Sequence, residues 1–245
     1  MDLTTSGRYR VLGRPRDLDE LLLVSVGPPD GGEAVESDAR ASGSPTGEST
    51  ESDGERATAW EAGDPDEAFA PTYVDATGYG GELAAAVDGL HAGVLVDATL
   101  AWSDGDPRFE SVDVVADTVF EFYDGVTGIF EAATQTWMVA EADNAAMNGR
   151  VTKNTDGEPN GALYVFAKQS GARDLFEEFR TGVTPLDPLV RRADRGESVP
   201  AEIEQPRAVF VLRPADEPFI VVYVVFRRDS VLAETLRSTY GDPSS

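Results

Sequence analysis

The sequence predicts an α+β protein: an OB-like small β-barrel interrupted by an acidic, disordered insertion, followed by an α+β domain with an antiparallel sheet. Three observations point there. Short apolar runs separated by turn residues fill 8–29 and 71–119, with one alanine-rich helix between the third and fourth of five strands, the order of elements in an OB-type barrel. Residues 30–70 hold twelve acids against Arg40 and Arg56 and have no apolar period. Beyond residue 120, a helical stripe leads into four strand-like runs and further helices.

In chain order, 8–13 and 20–26 are expected as two strands joined by a turn at 15–19, and 72–76 as a third. A helix at 82–90 closes at His91, Ala92 and Gly93, where a glycine can take a left-handed cap. Val94, Val96, Ala98, Leu100 and Trp102 fall on one face of the fourth strand, Asp104-Gly105 supplies a turn, and 109–115 returns. Val126, Phe130, Ala133, Trp137, Ala140, Asn144 and Met147 recur at spacings of four and three, which predicts one amphipathic helix over 126–147 with Trp137 in a second core. Strands at 150–153, 162–168, 207–213 and 219–228, with turns at Asp156-Gly157, Asn160-Gly161 and 214–218, make the antiparallel sheet. Helices at 172–180, 186–195 and 230–238 complete it. The expected domains are 1–29 plus 71–119, the insertion 30–70, and 120–245.

Charge dominates the composition: 45 Asp and Glu against 20 Lys and Arg give a formal net charge of -25 over 245 residues. In dilute buffer such a chain repels itself, whereas at ~1 M salt the Debye length falls to ~3 Å and the repulsion is screened. With only two lysines, Lys153 and Lys168, the surface has the bias of a protein adapted to a salt-rich cytoplasm. An apolar share of 41% is too high for a chain that stays unfolded throughout. Having no cysteine and a single histidine, His91, the chain has neither disulfides, nor a thiol nucleophile, nor a Cys/His zinc site. Its longest apolar run, 219–226, falls far short of the ~20 residues of a membrane helix, and 1–16 lacks the apolar core of a signal peptide. The expected location is cytoplasmic, away from membranes.

No motif compels a catalytic reading. Gly78, Gly80 and Gly81 open a helix as a dinucleotide loop does, but Leu83 stands where Gly or Ala is needed, and a glycine turn explains them. Asp156, Glu158, Asn160 and Gly161 have the spacing of a calcium loop, yet its twelfth position is Ala167 instead of a bidentate Glu. No metal and no cofactor are therefore expected. His91 could act as a general base or simply complement a helix end, and no G-x-S-x-G occurs.

Two clusters remain. Asn148, Arg150, Lys153, Asn154 and Asn160 gather positive and polar groups in an acidic chain, as an anion or ligand contact would. Arg8, Tyr9 and Arg10, with Arg14 and Arg16, give the first strand a basic face with one aromatic, a surface on which single-stranded nucleic acid can stack.

Through its segments 7–12, 98–105, 128–132 and 154–161, the chain resembles a family of haloarchaeal proteins of unknown function. The resemblance implies a haloarchaeal source and a shared fold, and supplies no activity. The sequence establishes no function; the reading it favours is a non-catalytic binding or interaction protein of a salt-adapted archaeal cytoplasm, its partner left open between a protein and a nucleic acid. One alternative is an OB-type nucleic-acid-binding protein. The other is an enzyme with its site in the crevice between the halves, near Asn148, Arg150, Lys153, Asp156 and Glu158.

Overall fold

A computed structural model of the chain describes residues 3–14, 19–27, 71–102, 107–169, 171, 174–194 and 206–241. They form a mixed α+β fold with two sheets and, among the described residues, five helices. The insertion at 30–70, most of the first turn and the Asp104-Gly105 turn lie outside the described residues. Among the described residues no helix is long and apolar enough to cross a membrane.

The first sheet is a closed barrel in the order β1-β2-β3-β5-β4. Its strands are β1 (Leu3–Gly13), β2 (Glu20–Gly27), β3 (Pro71–Asp75), β4 (Leu95–Trp102) and β5 (Arg108–Ala116), with helix α1 (Gly81–Asp88) between β3 and β4. β1 starts five residues before the expected strand because Leu3 to Gly7 pair with Trp102 to Ala98 on β4. That pairing spans most of the barrel sequence, so the local pattern Thr-Thr-Ser-Gly gives no sign of it. Tyr9, Val11, Leu21, Leu23, Val74, Val96, Ala98, Leu100 and Phe109 point inward and form the barrel core. Trp102, expected on the same face, sits at the strand end and is 38% exposed, its indole donating to Thr5 Oγ1 at 3.2 Å.

On β2, Leu21 to Val24 are all buried, so both faces of this strand are covered. The outer cover comes from the second half of the chain. Leu12 and Ala92 pack into a cluster with Phe120, Phe176, Phe179 and Leu186. Gly182, at φ +76, sits so close to β1 that an added Cβ would lie 1.9 Å from Leu12 Cδ1 and 3.5 Å from Val24 Cγ2. Only glycine satisfies both the conformation and the space.

The second sheet runs β6-β9-β10-β8-β7, with β6 (Val119–Val126), β7 (Met147–Lys153), β8 (Pro159–Ala167), β9 (Ala208–Pro214) and β10 (Phe219–Val225). β6 was not expected, and it pairs parallel with β9, so the sheet is mixed instead of purely antiparallel. Its partner lies almost 90 residues away, and its Val-Phe-Glu-Phe-Tyr run abuts a helical stripe that masked it. The helix is also shorter than its stripe. α2 spans Glu131–Ala142, after Gly125 and Gly128 take positive φ, and ends before Asn144 at φ +51. Met147 continues the spacing but begins β7.

Ala133 and Ala140 face the core fully, whereas Trp137 is half-buried and stacks on Phe219 with ring centroids 5.5 Å apart. Trp137 thus caps the edge of the second core instead of filling its centre. Asn160-Gly161, expected as a turn, lies inside β8. A Cβ on Gly161 would come 2.7 Å from the Tyr223 ring, which crosses β8 here and donates its hydroxyl to Thr152 Oγ1 at 2.8 Å. Helices α2 and α5 (Val231–Tyr240) cover one sheet face through Ala133, Ala233 and Leu236. α3 (Leu175–Thr181) and α4 (Asp187–Asp194) cover the other through Phe176, Phe179 and Val190. Barrel and second sheet belong to one compact unit, residues 1–30 and 69–245.

Candidate functional site

Among the described residues β7 is an edge strand: β8 pairs with one side of it and no described strand pairs with the other. The Ala167 N–H donates to the Ala146 carbonyl at 2.8 Å, which fixes the phase of the antiparallel ladder. Residues 148, 150 and 152 therefore turn their backbone groups to β8, and Met147, Gly149, Val151 and Lys153 turn theirs outward. One outward donor is covered, since Asn148 Oδ1 accepts from the Gly149 N–H at 2.7 Å. Gly149 cannot carry a side chain here, because a Cβ would meet the Tyr164 ring at 2.5 Å.

Arg150 and Lys153 are exposed, and neither has an ion-pair partner among the described residues. Most other cations are engaged. Arg213 bridges Asp124 and Asp174, which hold its guanidinium pKa above the ordinary value, chiefly through the Asp124 hydrogen bond. Lys168 donates to the Pro214 carbonyl, and burial together with Arg213 keeps its ammonium pKa below the ordinary value. Arg237 pairs with Glu121, and Arg108 with Asp75.

The five residues expected as a ligand cluster are divided by the structure. Arg150, Lys153 and Asn154 lie exposed along β7 and its turn. Asn154 is a turn organiser: its Oδ1 accepts from Asp156 N–H at 3.0 Å and Glu158 N–H at 2.9 Å. Those bonds and Gly157 at φ +83 account for the spacing that resembles a calcium loop. Asn160 is turned back into the sheet, accepting from Thr152 Oγ1 at 2.8 Å, and Asn148 ties β7 to α2 by donating to the Thr136 carbonyl at 3.3 Å. The cluster also stands away from the junction of the halves. It occupies the sheet edge opposite β6, and β6 carries the junction through Phe120 N–H to the Ala92 carbonyl at 2.9 Å.

Arg8, Tyr9 and Arg10 do not present one basic face. Tyr9 points into the barrel core, and burial raises its hydroxyl pKa above the ordinary value. Arg8 makes a two-pronged contact with Asp97 on β4 at 2.8 and 2.9 Å. Arg10 is buried and donates to Asp187 of α4 at 3.0 and 2.7 Å and to the Gly93 carbonyl at 2.7 Å. Asp187, which the sequence reading missed, is what converts a basic strand face into a docking face.

His91 sits at the same junction. Its Nε2 lies 2.8 Å from Asp117 Oδ1 and its Nδ1 3.2 Å from the Ala92 carbonyl, so each ring nitrogen faces an oxygen of the chain. Arg228, just after β10, reaches the same Asp117. Burial pushes the Asp117 carboxyl up, but the hydrogen bond and charge of Arg228, with His91 added, outweigh it and hold its pKa below the ordinary 3.8. A depressed folded-state pKa contributes stability that is complete above the unfolded value and fades as pH falls through the folded one. Asp117→Asn should therefore lower the urea midpoint near pH 7, and its deficit relative to the parent should shrink as pH falls below the ordinary 3.8 and the carboxylate of the parent becomes protonated.

A shallow hollow of about 330 Å³ beside β7 is lined by Trp137, Glu141, Asn144, Ala145, Ala146 and Ala167. Its lining is mostly apolar, and the half-buried Trp137 forms part of it. Among the described residues no group of His, Asp and Glu is gathered to hold a metal ion.

The model of a family of unknown function, DUF6663, matches residues 1–245. No curated protein and no solved structure matches the chain.

Proposed function

The chain belongs to DUF6663, a family whose function is unknown, and we propose that it is a non-catalytic binding protein that contacts an anionic partner along strand β7. One observation carries this reading: in a chain of net charge -25, Arg150 and Lys153 stand exposed and without an ion-pair partner on a strand whose outer edge, among the described residues, pairs with no other strand. Arg150, Lys153 and Asn154 are the contacts, with Asn148 and Asn160 holding the strand and its turn in place.

The strand order β1-β2-β3-β5-β4, the parallel β3–β5 pair and the helix between β3 and β4 support an OB-type reading of the barrel. An OB barrel that bound nucleic acid would keep an open face. Here the outer positions Arg10, Leu22 and Val24 are buried, which favours a structural role for the barrel. The halves 1–29 plus 71–119 and 120–245 then act as one body in a salt-rich archaeal cytoplasm.

Titration calorimetry of the full chain with hexaglutamate tests the site. Replacing Arg150 and Lys153 together with serine should abolish the heat of binding. Replacing Arg192 and Arg227, two other cations without an ion pair among the described residues, should leave it unchanged. Equal loss in both variants would show attraction to charge anywhere on the surface and would remove the site.

A further inference from the structure

We propose that β7 takes up an extended acidic peptide segment as a sixth strand, in a register set by Arg150 and Lys153; this rests on the reading of β7 as the ligand-contact strand. The outward backbone groups of Met147, Val151 and Lys153, with the Gly149 carbonyl, make an edge to which a strand can hydrogen-bond. Gly149 has no side chain to obstruct an approaching main chain, and Val151, 42% exposed, offers an apolar contact beside it.

Arg150 and Lys153 are three residues apart, so their side chains leave the strand on opposite faces. An incoming strand alternates in the same way. Acids three residues apart in it place one carboxylate beside each base, whereas acids two apart fall on one face and serve only one.

The same geometry disfavours other occupants. A second copy pairing β7 with β7 would bring cations against cations. A nucleic acid offers no main-chain amide donors and carbonyl acceptors to pair with a strand edge.

The experiment is fluorescence anisotropy of labelled octapeptides on the full chain in ~1 M KCl, where a Debye length of ~3 Å removes long-range attraction. Two peptides of identical composition carry glutamates three or two residues apart. The first should bind about fivefold more tightly, and R150S and K153S should each cancel that preference. N-methylation of alternate amides should weaken binding about tenfold in one phase and leave it unchanged in the other, because only one set of amides faces the edge.

Equal binding of both spacings with no phase dependence, but loss in R150S and K153S, would overturn strand addition while sparing β7 as the contact strand. No binding by either peptide, or binding indifferent to R150S and K153S, would overturn both. Tighter binding of oligothymidylate, or a dimer in sedimentation that R150S dissolves, would replace the peptide by a nucleic acid or a second copy.

Discussion

Replacing Asp187 with alanine should destabilise the protein by about 3–5 kcal/mol, because it leaves Arg10 charged and buried with one carbonyl as its remaining acceptor. Both side chains of the pair are 6% exposed, so water cannot replace the carboxylate without opening the junction. The pair joins residues 177 apart in sequence, and its loss acts on the docking of α4 against β1 more than on either core alone. Arg10→Met combined with Asp187→Leu should recover much of the deficit, since an apolar pair avoids the desolvation of two charges. Urea unfolding of Arg10→Met, Asp187→Leu and their double gives the cycle. A single-variant cost below about 1 kcal/mol would mean that solvent reaches the pair and that the halves are held by other contacts.

Gly93→Ala should cost about 3 kcal/mol or more, through strain and collision together. Gly93 has φ +102, and an added Cβ would lie 2.5 Å from the Thr118 carbonyl oxygen, 2.6 Å from Phe120 N and 2.8 Å from Val119 C. All three are backbone atoms at the start of β6, from Thr118 just before it to Phe120 within it, so no side chain can rotate away. Gly157→Ala is the control. Gly157 has φ +83 with nothing within 4 Å of the added Cβ, and its cost should stay near ~1 kcal/mol. Thermal melts of the two variants separate the collision from the strain, and similar melts would contradict the tight approach at Gly93.

These two sites explain how much of the molecule could be read from sequence. Elements bounded by local signals were legible. The Asp156-Gly157 turn after Lys153, the helix opening at Gly81 and the apolar run 219–225 all produce the expected structures at nearly the expected limits. What escaped depends on partners far along the chain. β6 needs β9, the first five residues of β1 need β4, and Val24 is covered by the end of α3 at Gly182. A hydrophobic stripe cannot report that Gly128 ends one element and Asn144 another, so the 126–147 helix was drawn too long.

The candidate site divides in the same way. Arg150 and Lys153 were visible as rare positive charge in an acidic chain. That they occupy an open edge follows only from the strand order. Tyr9 and Arg10 lost their functional reading once Val11 proved to be inside the barrel and Asp187 against its outside. The helix that carries Asp187 was expected at 186–195, but nothing in its spacing indicates that the Asp187 carboxylate faces Arg10.

Hydrogen exchange of the full chain, measured by mass spectrometry with and without hexaglutamate, tests the central claim most directly. Slowed exchange confined to 147–154, with 3–13 and 20–27 unchanged, is the result expected if β7 is the contact strand and the outer barrel face is already filled by the chain itself. Slowed exchange on 3–13 or 20–27, with 147–154 unaffected, would contradict it and return the binding surface to the barrel.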